Sequence, residues 1–193
     1  MRKHIEEAFW EAEKVQKEFL NGENIAVIED IVSMIIEAFQ QTKKVIICGN
    51  GGSCCDAMHF AEEFTGRFRM DRQPLPVIAL TDASHITCVA NDYGFEHIFS
   101  RGVEAYGSEG DLFIGISTSG KSQNVLKAVQ TANEKGLKTI GLLGKDGGDI
   151  KSECQVSLIV KGKTTDRIQE MHIKILHIII EMTERGLFPE NYR

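Results

Sequence analysis

The 193-residue chain has no C-x-x-C pair among its five cysteines, no excess of positive charge and no apolar run long enough to span a bilayer. Each absence removes a class of protein. Odd in number and without paired spacing, Cys48, Cys54, Cys55, Cys88 and Cys154 indicate neither a disulfide framework nor a thiolate zinc site, and a reducing cytoplasm suits them. The formal net charge of −6 argues against a nucleic-acid partner, which needs a basic footprint, although a local cradle for a small anion can oppose the global sign. The opening "MRKHIEEAFWEAEKVQKEF" is charged throughout and lacks a signal-peptide core, so neither export nor membrane insertion is expected. No repeat or low-complexity segment divides the chain, and its length and 42% hydrophobic content suit one well-filled domain.

Two rhythms fill the chain. Up to about residue 42, apolar positions recur at helical spacing, Ile5, Phe9, Ala12, Val15 and Phe19, then Ile28, Ile31, Val32, Ile35 and Phe39. They predict two amphipathic helices, broken near "NGEN". Short runs rich in Val and Ile follow, "KVIICG", "LPVIAL", "DLFIGIS", "KTIGLLG" and "VSLIV", separated by helix-like sequence. This alternation predicts an α/β fold, a three-layer αβα sandwich around a parallel sheet of five strands. The last helix is expected from about Asp166 to Arg185, with Gly186 as its stop signal. Its stretch "HIKILHIIIEM" is too apolar to face water and belongs in a core or a subunit interface.

In open parallel sheets, ligands gather at the carboxyl ends of the strands, which directs attention to two strand-to-helix loops. The first is "GNGGSCCD", Gly49 to Asp56, and the second is "STSGKS", Ser117 to Ser122. With Gly115 in front, the second matches the nucleotide-binding pattern G-x-x-x-x-G-K-[ST]. Its context is wrong for that role, since it follows the third strand, and Asp82 is the only fair candidate for a magnesium carboxylate. Backbone amides at a helix start, together with serine and threonine hydroxyls, make a phosphate site without any nucleotide. The plain alternatives are a serine-rich N-cap here and a Ser53/Asp56 capping box in the first loop.

Helical spacing aligns further polar residues. His59 and Glu63 are four apart and share a face, within reach of one ion or substrate. On the last helix Gln169 and His177 project broadly together, while His172 points to another side. Gln169 also reads as the N3 residue of a capping box begun by Asp166, and His177 as a core or interface histidine bonded to a carbonyl.

Taken together, "CGNGGSCCDAMHFAEEFTGRF", "VANDYGFEHIFSR", "GDLFIGISTSGKS" and "DRIQEMHIKILHI" resemble the phosphoheptose isomerases, enzymes of the sugar-isomerase (SIS) fold. The resemblance runs over essentially the whole chain. It implies isomerisation of sedoheptulose 7-phosphate to D-glycero-D-manno-heptose 7-phosphate, a step toward the heptose of bacterial lipopolysaccharide. A cytoplasmic homotetramer with one zinc ion per subunit is implied as well, the N-terminal helices (about residues 1–42) serving assembly. Residue by residue, Ser117, Thr118, Ser119 and Ser122 would hold the phosphate. Asn50, Gly51, Gly52 and Ser53, with Asn91 and Asp92, would lie along the sugar. His59, Glu63, Gln169 and His177 match the family's zinc ligands, Glu63 and Gln169 also facing substrate, and Glu63 and His177 match its catalytic pair. The main rival within the same fold is a non-catalytic SIS protein that binds partners and regulates replication initiation; the presence of both Glu63 and His177 favours the enzyme.

Overall fold

Asn21 divides the two N-terminal helices, α1 (Arg2–Phe19) and α2 (Gly22–Gln40). Its side-chain oxygen accepts the Asn24 N–H at 2.9 Å, capping α2, while the Asn24 amide donates to the Phe19 carbonyl at 2.7 Å. The break expected at "NGEN" is thus a reciprocal pair of caps. The structure, a computed structural model, describes residues 1–192.

All five valine- and isoleucine-rich runs form strands: β1 (Val45–Gly49), β2 (Val77–Ala79), β3 (Leu112–Ser117), β4 (Lys138–Gly144) and β5 (Val156–Val160). They make one parallel sheet in the order β2-β1-β3-β4-β5. Every residue of β1 and β3 is buried, because helices cover both faces. Val45 and Ile47 point to a core shared with α1, α2, α3 (Gly52–Thr65) and α8 (Thr165–Leu187). The alternate residues Ile46 and Cys48 point to the opposite core, shared with α4 (Ala83–Tyr93), α5 (Ser100–Tyr106), α6 (Gln123–Glu134) and α7 (Ile150–Glu153). This is the expected three-layer αβα sandwich. All five cysteines are free thiols, and among the described residues no helix is long and apolar enough to cross a membrane.

Phe60 and Phe64 anchor α3, their rings edge-on at 4.9 Å and fully buried. Burial of each contributes about 1.5–3 kcal/mol. Fixing that stripe turns the adjacent stripe, with His59 and Glu63, toward α8. Helix α8 begins at Thr165, with Thr164 as N-cap, and runs past Gly186 to Leu187. Gly186 is therefore not a stop: a Cβ there would lie 2.4 Å from Ile36 Cδ1, so its bare Cα allows α8 to press on α2.

Candidate functional site

The sheet order reverses direction between β1 and β3, leaving a crevice at their carboxyl ends, and both candidate loops open there. In the first, Gly51 takes a positive φ of 57° and caps α3. Ser53 accordingly sits inside the first turn, and no side chain caps the helix, which overturns the Ser53/Asp56 capping box. A glycine that reaches this backbone conformation without a Cβ clash does the work instead. Asp56 is buried with Oδ2 unpartnered, and burial pushes its carboxyl up to about 6.

The second loop folds its hydroxyls onto one another. Ser117 Oγ lies 3.0 Å from Ser122 Oγ and 3.5 Å from Ser119 Oγ, and it accepts the Gly120 N–H at 3.1 Å. Ser119 Oγ accepts the Lys121 N–H at 3.2 Å. Ser122 is the N-cap of α6, yet its hydroxyl makes no cap bond. The serines therefore converge on a common point instead of saturating the helix amides. Gly120 requires its identity: φ is +67° and a Cβ would meet the Gly147 carbonyl oxygen at 2.0 Å, so the loop after β4 buttresses this turn. Asp82, the magnesium candidate, is committed elsewhere, capping α4 through the His85 N–H at 2.7 Å.

Between α3 and α8, one ligand atom from each of His59, Glu63 and His177 falls within 4.8 Å of the others. His59 Nε2 and His177 Nε2 are 2.7 Å apart, and Glu63 Oε1 is 3.4 Å from His59 Nε2. Glu62 Oε1 stands 3.0 Å from His59 Nδ1. A carboxylate beside that nitrogen favours the tautomer protonated on Nδ1, with the His59 Nε2 lone pair facing the cluster. Burial raises the Glu63 carboxyl above its ordinary value, and burial followed by the neighbouring His59 lowers His177. Two imidazole nitrogens and a carboxylate oxygen meeting at one point form a possible divalent-metal site.

The carbonyl-bonded core histidine is His172 rather than His177. Its Nε2 lies 3.1 Å from the Leu143 carbonyl, and burial pushes it down to about 4. Gln169 approaches α3 nearer the start of that helix: a Cβ on Gly52 would lie 2.2 Å from its Nε2. With Thr164 as N-cap and no side-chain cap bond, the Asp166/Gln169 capping box is absent, and the Gln169 amide faces the glycine loop.

A sequence profile of the SIS domain matches residues 9–144. A phosphoheptose isomerase of Fusobacterium nucleatum is 65% identical over 164 residues, 85% of this chain and 84% of that one. Among solved structures, a phosphoheptose isomerase from Francisella tularensis superposes with a TM-score of 0.91 at 34% identity, over 95% of this chain and 97% of its own. The phosphoheptose isomerase of Neisseria gonorrhoeae does so with a TM-score of 0.88 at 37% identity, over 95% and 98%. The chain belongs to the phosphoheptose isomerases.

Within this phosphoheptose isomerase frame, the structure gathers some expected residues and leaves others apart. Ser117, Thr118, Ser119 and Ser122 share one loop, and Asn50 to Ser53 face it across the crevice. Asn91 and Asp92 stand exposed on α4, the Asn91 amide donating to Asp92 Oδ1 at 2.7 Å. Three features escaped the sequence reading. The Asn50 amide pairs with Asn124, 74 positions away. Glu62 supports His59. Arg72 grips the end of α3, donating to the carbonyls of Glu63 at 2.6 Å, Phe64 at 2.7 Å and Gly66 at 2.8 Å, and forms a buried ion pair with Glu184. Spacing signals only neighbours on one helix, as with Glu62; nothing local announces the other two.

Proposed function

We propose that this chain is an aldose–ketose isomerase converting sedoheptulose 7-phosphate to D-glycero-D-manno-heptose 7-phosphate, with the phosphate in the hydroxyl loop and proton transfer at the α3–α8 cluster. The observation that carries the reading is the meeting of Glu63, whose carboxyl is raised by burial, with His177 from another helix. Isomerisation moves a proton between adjacent carbons and needs a base at carbon and an acid at oxygen. Glu63 takes a proton from C1 of the ketose while His177 delivers one to the C2 oxygen, giving the enediol. Glu63 then returns its proton to C2 and His177 takes the proton from the C1 oxygen, leaving the aldehyde. Both side chains end as they began. The direct test is incubation with sedoheptulose 7-phosphate in deuterated water: the aldose should form and solvent deuterium should enter the reacting carbons. Neither product nor exchange would overturn the assignment.

His59, Glu63 and His177 suit a zinc ion as donors, with the Gln169 amide, now against Gly52, as the further expected ligand. When bound, zinc polarises the sugar oxygens as a Lewis acid. Asn50, Gly51, Gly52 and Ser53 line the sugar side of the crevice, and Asn91 and Asp92 are assigned to the sugar chain from α4. Isomerase chemistry of this kind belongs to lipopolysaccharide heptose synthesis in the cytoplasm.

In the phosphate loop, Ser119→Ala or Ser122→Ala is expected to weaken sugar-phosphate binding by about 1 to 3 kcal/mol for each charge-assisted bond lost. Calorimetry that finds both variants binding like the parent would remove the phosphate from this loop.

The chain is further proposed to be a single SIS domain that assembles as a tetramer through its N-terminal helical segment. Phe9 is 73%, Trp10 62% and Ile5 52% exposed along α1, an apolar stripe that isolated subunits seldom leave to water. Sedimentation at micromolar concentration should give about four times the 21.5 kDa chain mass. A monodisperse monomer would contradict this assembly.

A further inference from the structure

Asn124 occupies the second position of α6, two residues beyond Ser122, and is only 3% exposed. Its Nδ2 donates to Asn50 Oδ1 at 2.8 Å, and the Asn50 Nδ2 donates back to Asn124 Oδ1 at 2.9 Å. The same Asn124 oxygen accepts the Val125 N–H at 2.9 Å. That third bond fixes which way the Asn124 amide faces, and reciprocity then fixes Asn50. Two carboxamides can pair in this manner because each both donates and accepts.

The pair spans the switch-point crevice. Asn50 directly follows β1 and leads into α3, the helix carrying His59 and Glu63, whereas Asn124 lies in the first turn of α6, which the hydroxyl loop leads into. We propose that Asn124 is a positioning residue that clamps the hydroxyl loop to the β1–α3 loop, holding a bound phosphate and the reacting carbons at one fixed separation. The inference rests on the functional reading above. It deepens that reading by giving Asn50 a mechanical role and adding a residue that the substrate need not touch. Internal bonds of the hydroxyl loop, Ser117 to Ser122 and the Gly120 N–H to Ser117, do not involve the clamp, so a phosphate cradle survives its loss. What is lost is registration of the two halves, and misplacement of about 1 Å lowers turnover by about 10²-fold.

The test compares wild type, Asn50→Ala, Asn124→Ala and the double variant. Turnover of sedoheptulose 7-phosphate and calorimetric affinity for inorganic phosphate are measured on each, with melting temperature as the check on folding. Asn124→Ala should lose about 10²-fold in kcat while phosphate affinity stays within about twofold. Asn50→Ala, which leaves the Asn124–Val125 bond untouched, should show the same split, and the double variant should be no slower than either single one. Three results overturn the clamp: unchanged kcat in Asn124→Ala, phosphate affinity falling in proportion to kcat, or losses that multiply in the double variant. Multiplication would mean that the two residues act independently and not through the bond between them. Absence of turnover in the wild type is distinct from these, because it overturns the functional reading itself and this inference with it.

Discussion

Glu63→Gln is expected to lower turnover by about 10²- to 10⁴-fold, the span that general acid–base catalysis supplies. The amide keeps the shape of the side chain and an oxygen that can still face His59, but it cannot accept a proton from carbon. Substrate binding should change little, because the hydroxyl loop proposed to hold the phosphate is a separate segment. The environment suits a carboxylate to this proposed role. Burial between α3 and α8 is the first cause that raises its pKa, and Glu62 adds to it, so the Glu63 carboxylate is a stronger base than an exposed one. Deuterium wash-in is the decisive measurement, since it reports proton removal even where product release limits the rate. Near-parental exchange in Glu63→Gln would reduce this residue to a structural or metal-holding part and pass the role of base to His177.

Breaking the Arg72–Glu184 pair should have the largest effect on stability. The two side chains are 1% and 2% exposed and 2.8 Å apart. Tyr192 donates to the other Glu184 oxygen at 2.7 Å, and burial pushes that phenol up to about 12. Glu184→Gln leaves a guanidinium buried without its counter-charge, a loss that costs about 3–5 kcal/mol. For a chain of this length, the melting temperature falls by about 2–4 °C per kcal/mol. The comparison belongs at one protein concentration, because assembly adds to apparent stability by mass action. Arg72→Ala should be as severe, for it also frees the carbonyls that close α3. A melting temperature within about 2 °C of the parent, the scale of a surface change, would show that the pair contributes nothing net. Placement matters as much as magnitude: Arg72 holds the Glu63 carbonyl and Glu184 lies seven residues beyond His177 on α8, so the pair braces the two helices that bring the cluster together.

The strands were legible because each is a short, continuous apolar run, and a strand buried on both faces leaves no other pattern. The hydroxyl loop was legible for a similar reason: Ser117 to Ser122 are contiguous, so one loop carries them whatever the fold does. His59 and Glu63 were legible from helical spacing alone. Helix ends were less so. The two capping boxes at Ser53 and Asp166 fit the local pattern, but Gly51 and Thr164 took the caps, and Gly186 stayed inside its helix. A cap is chosen by the backbone path into the helix, and that path is set by the packing of whole elements.

Sequence by itself determined the layered α/β architecture, the two loops and the residue types that proton transfer and phosphate binding require, because these depend on contacts between near neighbours in the chain. Tertiary structure decided which histidine meets His59. His172 and His177 stand on the same apolar helix, and only the docking of α8 sends one to the Leu143 carbonyl and the other to the cluster. Tertiary structure also made the Asn50–Asn124 and Arg72–Glu184 pairs, whose partners are 74 and 112 positions apart. A polar residue records its own capacity to bond in the sequence, but its partner is supplied by the burial of apolar faces elsewhere, which brings distant segments to within bonding distance.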